Sequence, residues 1–183
     1  MQKNWYAVYT KPQCEKKIAA LFSKWKIENF CPLNFVKSNV SWKSKMVCEP
    51  LFKSYVFVYI SEDQIYRIGR IDGVVNFLYW LGKPAVIRNE EIEAIKEFVN
   101  DYRDIKIQKT KVNMGDAVQI IDEPSYKLEG KFISIKNKTV KAILPSLGYI
   151  LMAEAEKDSI LEREKSLLDS MSTQISLQHF NTA

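Results

Sequence analysis

Residues 55–60 (YVFVYI) alternate aromatic with branched aliphatic side chains and hold no charge. In an extended strand successive side chains point to opposite faces. Tyr55, Phe57 and Tyr59 therefore share one face, and Val56, Val58 and Ile60 the other. A strand that is apolar on both faces belongs in the middle of a sheet with cover on both sides. If this chain leaves one side bare, that side is a docking surface.

The surrounding sequence supplies candidates for that cover. Residues 5–10 (WYAVYT) read as a strand. Pro12 then suits a first helical turn. Cys14, Ile18, Leu21, Phe22 and Trp25 recur at helical spacing, so the helix has one apolar stripe, while Lys16, Lys17 and Lys24 fall off it. Residues 27–36 read as a second strand, bent or at an edge because of Pro32. Residues 37–45 (KSNVSWKSK) read as a basic hairpin tip; Trp42 within it either stacks on a base or folds back onto the sheet. Residues 61–64 (SEDQ) match a capping box that opens a short helix. Residues 74–81 (VVNFLYWL) read as another strand, ended by a turn at Gly82-Lys83-Pro84. Asn89 caps a further helix whose first turn is acidic and whose apolar positions are Ile92, Ile95, Val99 and Tyr102.

Residues 101–111 are charged and lack periodicity, which reads as a linker. Beyond it come short strands at 117–121, 131–135, 140–144 and 149–153, a spacing that suits a small barrel. Residues 156–183 read as one helix and a polar tail. The chain thus divides into an N-terminal domain (1–100), a linker (101–111), a small barrel (112–155) and a tail (156–183).

Charge is distributed unevenly. The 183 residues carry a net +5, yet the first 60 hold 10 Lys against 3 Glu, leaving the remainder at −2. A local excess of this kind is either a solvated lysine-rich face or the footprint of an anionic partner. Function classes drop out on composition. A single His handicaps imidazole-based hydrolysis and metal chemistry, and 6 Gly make a phosphate-cradling loop improbable. No paired catalytic carboxylates stand in motif context, so nothing supports an enzyme or a cofactor. Cys14, Cys31, Cys48 and His179 make a zinc set on paper, but without a CxxC pair free thiols are the expectation. No stretch is long and apolar enough to span a membrane, and residues 1–10 lack a signal core, so the expected location is the cytoplasm.

Three stretches, WYAVYT with Lys11, EPLFKSYVFV and GVVNFLYWLGKPAVI, resemble the N-terminal domain of NusG-family transcription elongation factors. MGDAVQIIDEPSYKLEGKFISI, residues 114–135, resembles that family's C-terminal KOW motif, with Gly130 at the motif's glycine. The resemblance covers about residues 4–155 and is closest to the specialised RfaH-like and UpxY-like antiterminators. Glu123-Pro124 replaces the usual Gly-Pro of the motif, and Lys53 replaces a usual proline.

The resemblance implies an α+β fold: an antiparallel NusG-like sheet with helices, then an SH3-like barrel. It implies an antitermination and elongation factor, not an enzyme, that bridges the polymerase cleft and suppresses pausing, on long operons such as surface-polysaccharide loci. RNA polymerase would dock by its largest-subunit clamp helices on Phe52, Tyr55, Phe57, Ile92 and Ile95. The non-template DNA strand would meet Tyr9, Lys11, Lys17 and Lys24. Asp72 stands where one branch of the family has a basic residue, which argues against base-specific contact there. The barrel would recruit a ribosomal protein or a termination factor. Its β-branched residues and Pro124 and Pro145 favour strands over the helical hairpin of RfaH-like members. The competing reading is a ribosome-associated or RNA-binding KOW protein that never touches polymerase.

Overall fold

The computed structural model describes residues 2–38, 45–109, 125–128, 131–136 and 139–154, with side chains for 2–37, 45–109 and 139–154. The hairpin tip around Trp42, the strand expected at 117–121, Glu123-Pro124, Gly130, and the helix and tail with His179 lie outside the described residues.

β1 (Lys3–Thr10) and β5 (Tyr55–Ser61) form the centre of the N-terminal sheet and pair antiparallel from Lys3↔Ser61 to Tyr9↔Tyr55. β2 (Asn29–Phe30) flanks β5, while β6 (Val74–Phe77) and β9 (Val86–Ile87) pair with β1. β3 (Leu33–Ser38) and β4 (Lys45–Pro50) make a separate hairpin.

The alternation of β5 sorts its side chains as the sequence requires. Val56, Val58 and Ile60 are buried with Ile18 and Phe22 of α1 (Glu15–Lys24) and Ile68 of α2 (Glu62–Gly69). Phe57 points the other way, into a cluster with Ile92, Ile95 and Phe98 of α3 (Asn89–Asp101). Two details fix the first layer. The capping box is present, with the Ser61 N–H donating to Gln64 Oε1 at 3.2 Å. At Gly73 (φ 95°) a Cβ would come within 2.9 Å of Ile18 Cδ1, so the approach to α1 depends on glycine.

The second sheet runs β10-β14-β13-β12-β11: β10 (Lys106–Lys109), β14 (Tyr149–Glu154), β13 (Thr139–Leu144), β12 (Lys131–Lys136) and β11 (Ser125–Leu128). All its pairings are antiparallel, and among the described residues its outer strands do not pair with each other, so it is an open sheet there.

Several boundaries differ from the sequence reading. Residues 27–36 split at Pro32, which cannot donate; its carbonyl accepts the Leu51 N–H at 2.8 Å. Residues 74–81 break at Leu78, whose N–H turns to Ala7 O (2.8 Å) and whose carbonyl accepts the Ala85 N–H (2.7 Å). β7 (Tyr79–Trp80) then pairs with β8 (Lys83–Pro84) across a two-residue turn with Leu81 (φ 49°) and Gly82 (φ 76°) both left-handed. Arg88, not Asn89, occupies the cap of α3. Residues 106–109, read as linker, pair with β14; a four-residue strand with one apolar side chain carries too little periodicity to be read without its partner.

Candidate functional site

The turn before β5 positions the aromatic side chains. Glu15, buried at the start of α1, accepts the Ser54 N–H on Oε1 at 2.6 Å. The Ser54 carbonyl accepts the Thr10 N–H at 2.8 Å, with Ser54 itself left-handed (φ 64°). The Tyr55 N–H closes back on Phe52 O at 3.3 Å. Phe52 and Phe57 then meet edge to face, ring centres 5.4 Å apart.

Phe52, Phe57, Ile92 and Ile95 are all in one apolar cluster and Tyr55 packs against it, so the structure brings this set of residues together. It also covers them. The cluster continues into Val140, Ala142 and Leu144 of β13 and Leu151 and Ala153 of β14, all buried. Phe52 meets Tyr149 at 5.9 Å, edge to face. Phe52, Phe57, Ile92 and Ile95 are at most 4% exposed, whereas Tyr55 remains half-buried at the rim. There Phe52, Lys53, Tyr55, Ile107 and Tyr149 line a groove of about 310 Å³. Burial, then the neighbouring Tyr149 and Tyr9, raise the Tyr55 phenol above its ordinary value.

Polar ties hold the second sheet against this surface. The Ser146 N–H donates to both carboxylate oxygens of Glu91, at 3.0 and 3.2 Å. Burial raises the Glu91 carboxyl above its ordinary value, and the Ser146 hydrogen bonds and Arg88 oppose the shift. Asn34, also buried, grips Ile105 twice: Nδ2 donates to the Ile105 carbonyl (2.8 Å), and Oδ1 accepts the Ile105 N–H (3.1 Å). Sequence reasoning missed Glu15, Asn34 and Glu91. Glu91 was visible as a helix first-turn acid, a role it shares with Glu90, and nothing local separates the two.

Of the four residues assigned to DNA, Tyr9 is in β1, Lys11 follows that strand, and Lys17 and Lys24 are on α1. Tyr9 is half-exposed and stacks obliquely on Tyr55, ring centres 5.3 Å apart, which joins the two predicted sets. Lys11 is exposed but engaged: its Nζ lies 2.9 Å from Asp72 Oδ1. That hydrogen-bonded pair raises the Lys11 amine and lowers the Asp72 carboxyl, and Lys17 adds to the lowering at Asp72. Lys17 and Lys24 are exposed on α1, about 10 Å apart along its axis.

Cys14, Cys31 and Cys48 are free and partly buried, and no cluster of potential metal ligands occurs among the described residues. Burial, then Glu15, pushes the Cys31 thiol up to about 11, so it is protonated and unreactive at neutral pH. Among the described residues no helix is long and apolar enough to cross a membrane.

Residues 3–96 match the family model described as transcription termination factor NusG. The chain is 29% identical over 136 residues to the transcription termination/antitermination protein NusG of Streptococcus pyogenes serotype M3, covering 72% of this chain and 75% of that protein. The serotype M1 protein matches equally. A solved structure of Thermotoga maritima NusG, on domain interaction, aligns at 18% identity over 85% of this chain and 99% of its own, with a TM-score of 0.44. With just over half of its residues matched by the family model, and with the sheet and helices of that segment described above, this chain belongs to the NusG family.

Proposed function

We propose that this protein is a cytoplasmic transcription termination/antitermination factor, without catalytic activity, that binds RNA polymerase through Phe52, Tyr55, Phe57, Ile92 and Ile95. The observation that carries the reading is that the family match, residues 3–96, contains all five of these residues, which form one contiguous apolar group. Large aromatic side chains suit such an anchor because each buries much area at little entropic cost. In this reading the clamp helices of the largest subunit replace β13 and β14 on that surface. Engagement requires the second sheet to lift and the Glu91–Ser146 contact to break. Tyr9, Lys11, Lys17 and Lys24 then face the non-template strand, and bridging the cleft suppresses pausing and termination. The operon class in this reading is the long surface-polysaccharide locus. The displaced C-terminal unit, taken as a KOW-type barrel, meets a ribosomal protein or a termination factor.

The test is co-purification of core RNA polymerase with the full chain. Polymerase is expected to be retained, and Tyr55→Ala, at the half-buried rim, is expected to weaken retention several-fold. Absence of polymerase, or retention unchanged by Tyr55→Ala, overturns the reading and leaves the ribosome-associated alternative, for which ribosomal subunits in the same eluate are the signature.

A further inference from the structure

A cleft of about 140 Å³ opens on the sheet side away from the second sheet, between the C-terminal end of α1, β5 and α2. Ile27, Ile68 and Ile71 are its aliphatic lining on the helix side. Trp25, the C-cap residue of α1, forms one wall and is 46% exposed. Lys3, Lys26 and Arg67 surround it against a single lining acid, Glu28, and among the described residues none of the three cations makes an ion pair.

The end of α1 explains how an aromatic and a cation come to stand side by side. The Lys26 N–H donates to Ser23 O at 3.0 Å and the Ile27 N–H to Phe22 O at 2.9 Å, with Lys26 left-handed (φ 58°). This is the Schellman arrangement, with lysine at the position usually held by glycine. The Trp25 N–H takes the Leu21 and Phe22 carbonyls at 3.1 Å. The Leu21, Phe22 and Ser23 carbonyls are therefore engaged, and the positive charge that the cleft offers an anion comes from its side chains, against the negative end of α1.

We propose that this cleft takes one nucleotide of a single-stranded nucleic acid, its base against the Trp25 indole and its phosphates on Lys3, Lys26 and Arg67. An exposed aromatic beside an excess of cations is the pairing that single strands use, since every base has a π-face and every linkage a charge. The cleft is on the scale of one base, too small for a helix or strand of a protein partner. It lies apart from Tyr9 and Lys11 and does not depend on polymerase binding.

The experiment is fluorescence anisotropy of labelled oligo-dT and oligo-rU with the full chain. Trp25→Ala is expected to weaken binding by about 5- to 100-fold and Trp25→Phe to retain most of it. Lys26→Ala with Arg67→Ala is expected to flatten the log–log salt slope by about 1.4. Binding that Trp25→Ala weakens and Trp25→Phe retains supports the proposal, and the tighter arm identifies the strand as DNA or RNA. Unchanged affinity in Trp25→Ala, equal losses in the Ala and Phe variants, or equal competition by oligoglutamate overturns it. If Lys17→Ala with Lys24→Ala abolishes binding while Trp25→Ala has no effect, the cleft is not the site and the α1 rim is.

Discussion

Val56, Val58 and Ile60 lie beneath α1 and α2, whereas Phe57, on the opposite face of the same strand, shares its cluster with α3 and with strands far along the chain. Both faces are equally dry. The first is closed by helices that immediately precede or follow the strands they cover, so it forms whenever the N-terminal domain forms. The second is closed partly by a sheet that reaches it after a long loop closure and is tied to it by polar contacts that include Glu91–Ser146 and Asn34–Ile105. Apolar alternation in a strand specifies that cover is needed; it does not specify that the cover is permanent.

Substitutions that remove cover from one face at a time break or sharpen this comparison. Phe22→Ala empties a fully buried site under α1 and is expected to destabilise the whole N-terminal domain by about 3–5 kcal/mol, read from urea unfolding. Leu151→Ala, equally buried on the other side, is expected to cost about 2–4 kcal/mol. Its effect should stay in the second sheet: amide exchange accelerates in β13 and β14 while β1 and β5 keep their protection. Equal loss in β5 would make the two faces one cooperative unit.

Glu91 tests the tie itself. Glu91→Ala leaves the buried Ser146 N–H without its acceptor and is expected to cost about 1–2 kcal/mol. Because burial raises this carboxyl, the folded chain holds the Glu91 proton more tightly than the unfolded chain does. Stability on this account is full below the ordinary glutamate value and falls as pH rises through the interval up to the raised value. Glu91→Gln keeps an acceptor and removes the charge, so the slope of urea midpoint against pH over that interval is expected to flatten. An unchanged slope would assign it to another group. The smallest effect belongs to the exposed edge. Asp72→Asn releases Lys11 and is expected to leave the melting temperature unchanged while steepening the salt dependence of single-strand binding by at most about one ion equivalent.

Much of this architecture was legible because local chemistry dictated it. The period of residues 55–60 identified the central strand, Ser61 and Gln64 the start of α2, and Ile18 and Phe22 the packing face of α1, whereas Trp25, read on the same stripe, lies past the helix end and is exposed. β8, β9 and β10 were not legible, since two- to four-residue strands hold together through partners distant in sequence. The apolar group of Phe52, Phe57, Ile92 and Ile95 was readable as a set, but its covering was not. The residues that cover it, Leu144 and Leu151, look like the core of their own sheet. Lys11 was readable as a cation, and its capture by Asp72 was not, because the partners are 61 positions apart.

Asn34 holds both backbone groups of Ile105, and β10 begins at the next residue. The second sheet is therefore leashed within a residue of the surface that it covers. Such a short tether keeps the cover at an effective concentration in the millimolar range. A competitor present at micromolar levels must then outbind the cover by about a thousandfold to hold the surface open half of the time. Lengthening the leash by cutting the Asn34 grip lowers that threshold without touching a single apolar contact.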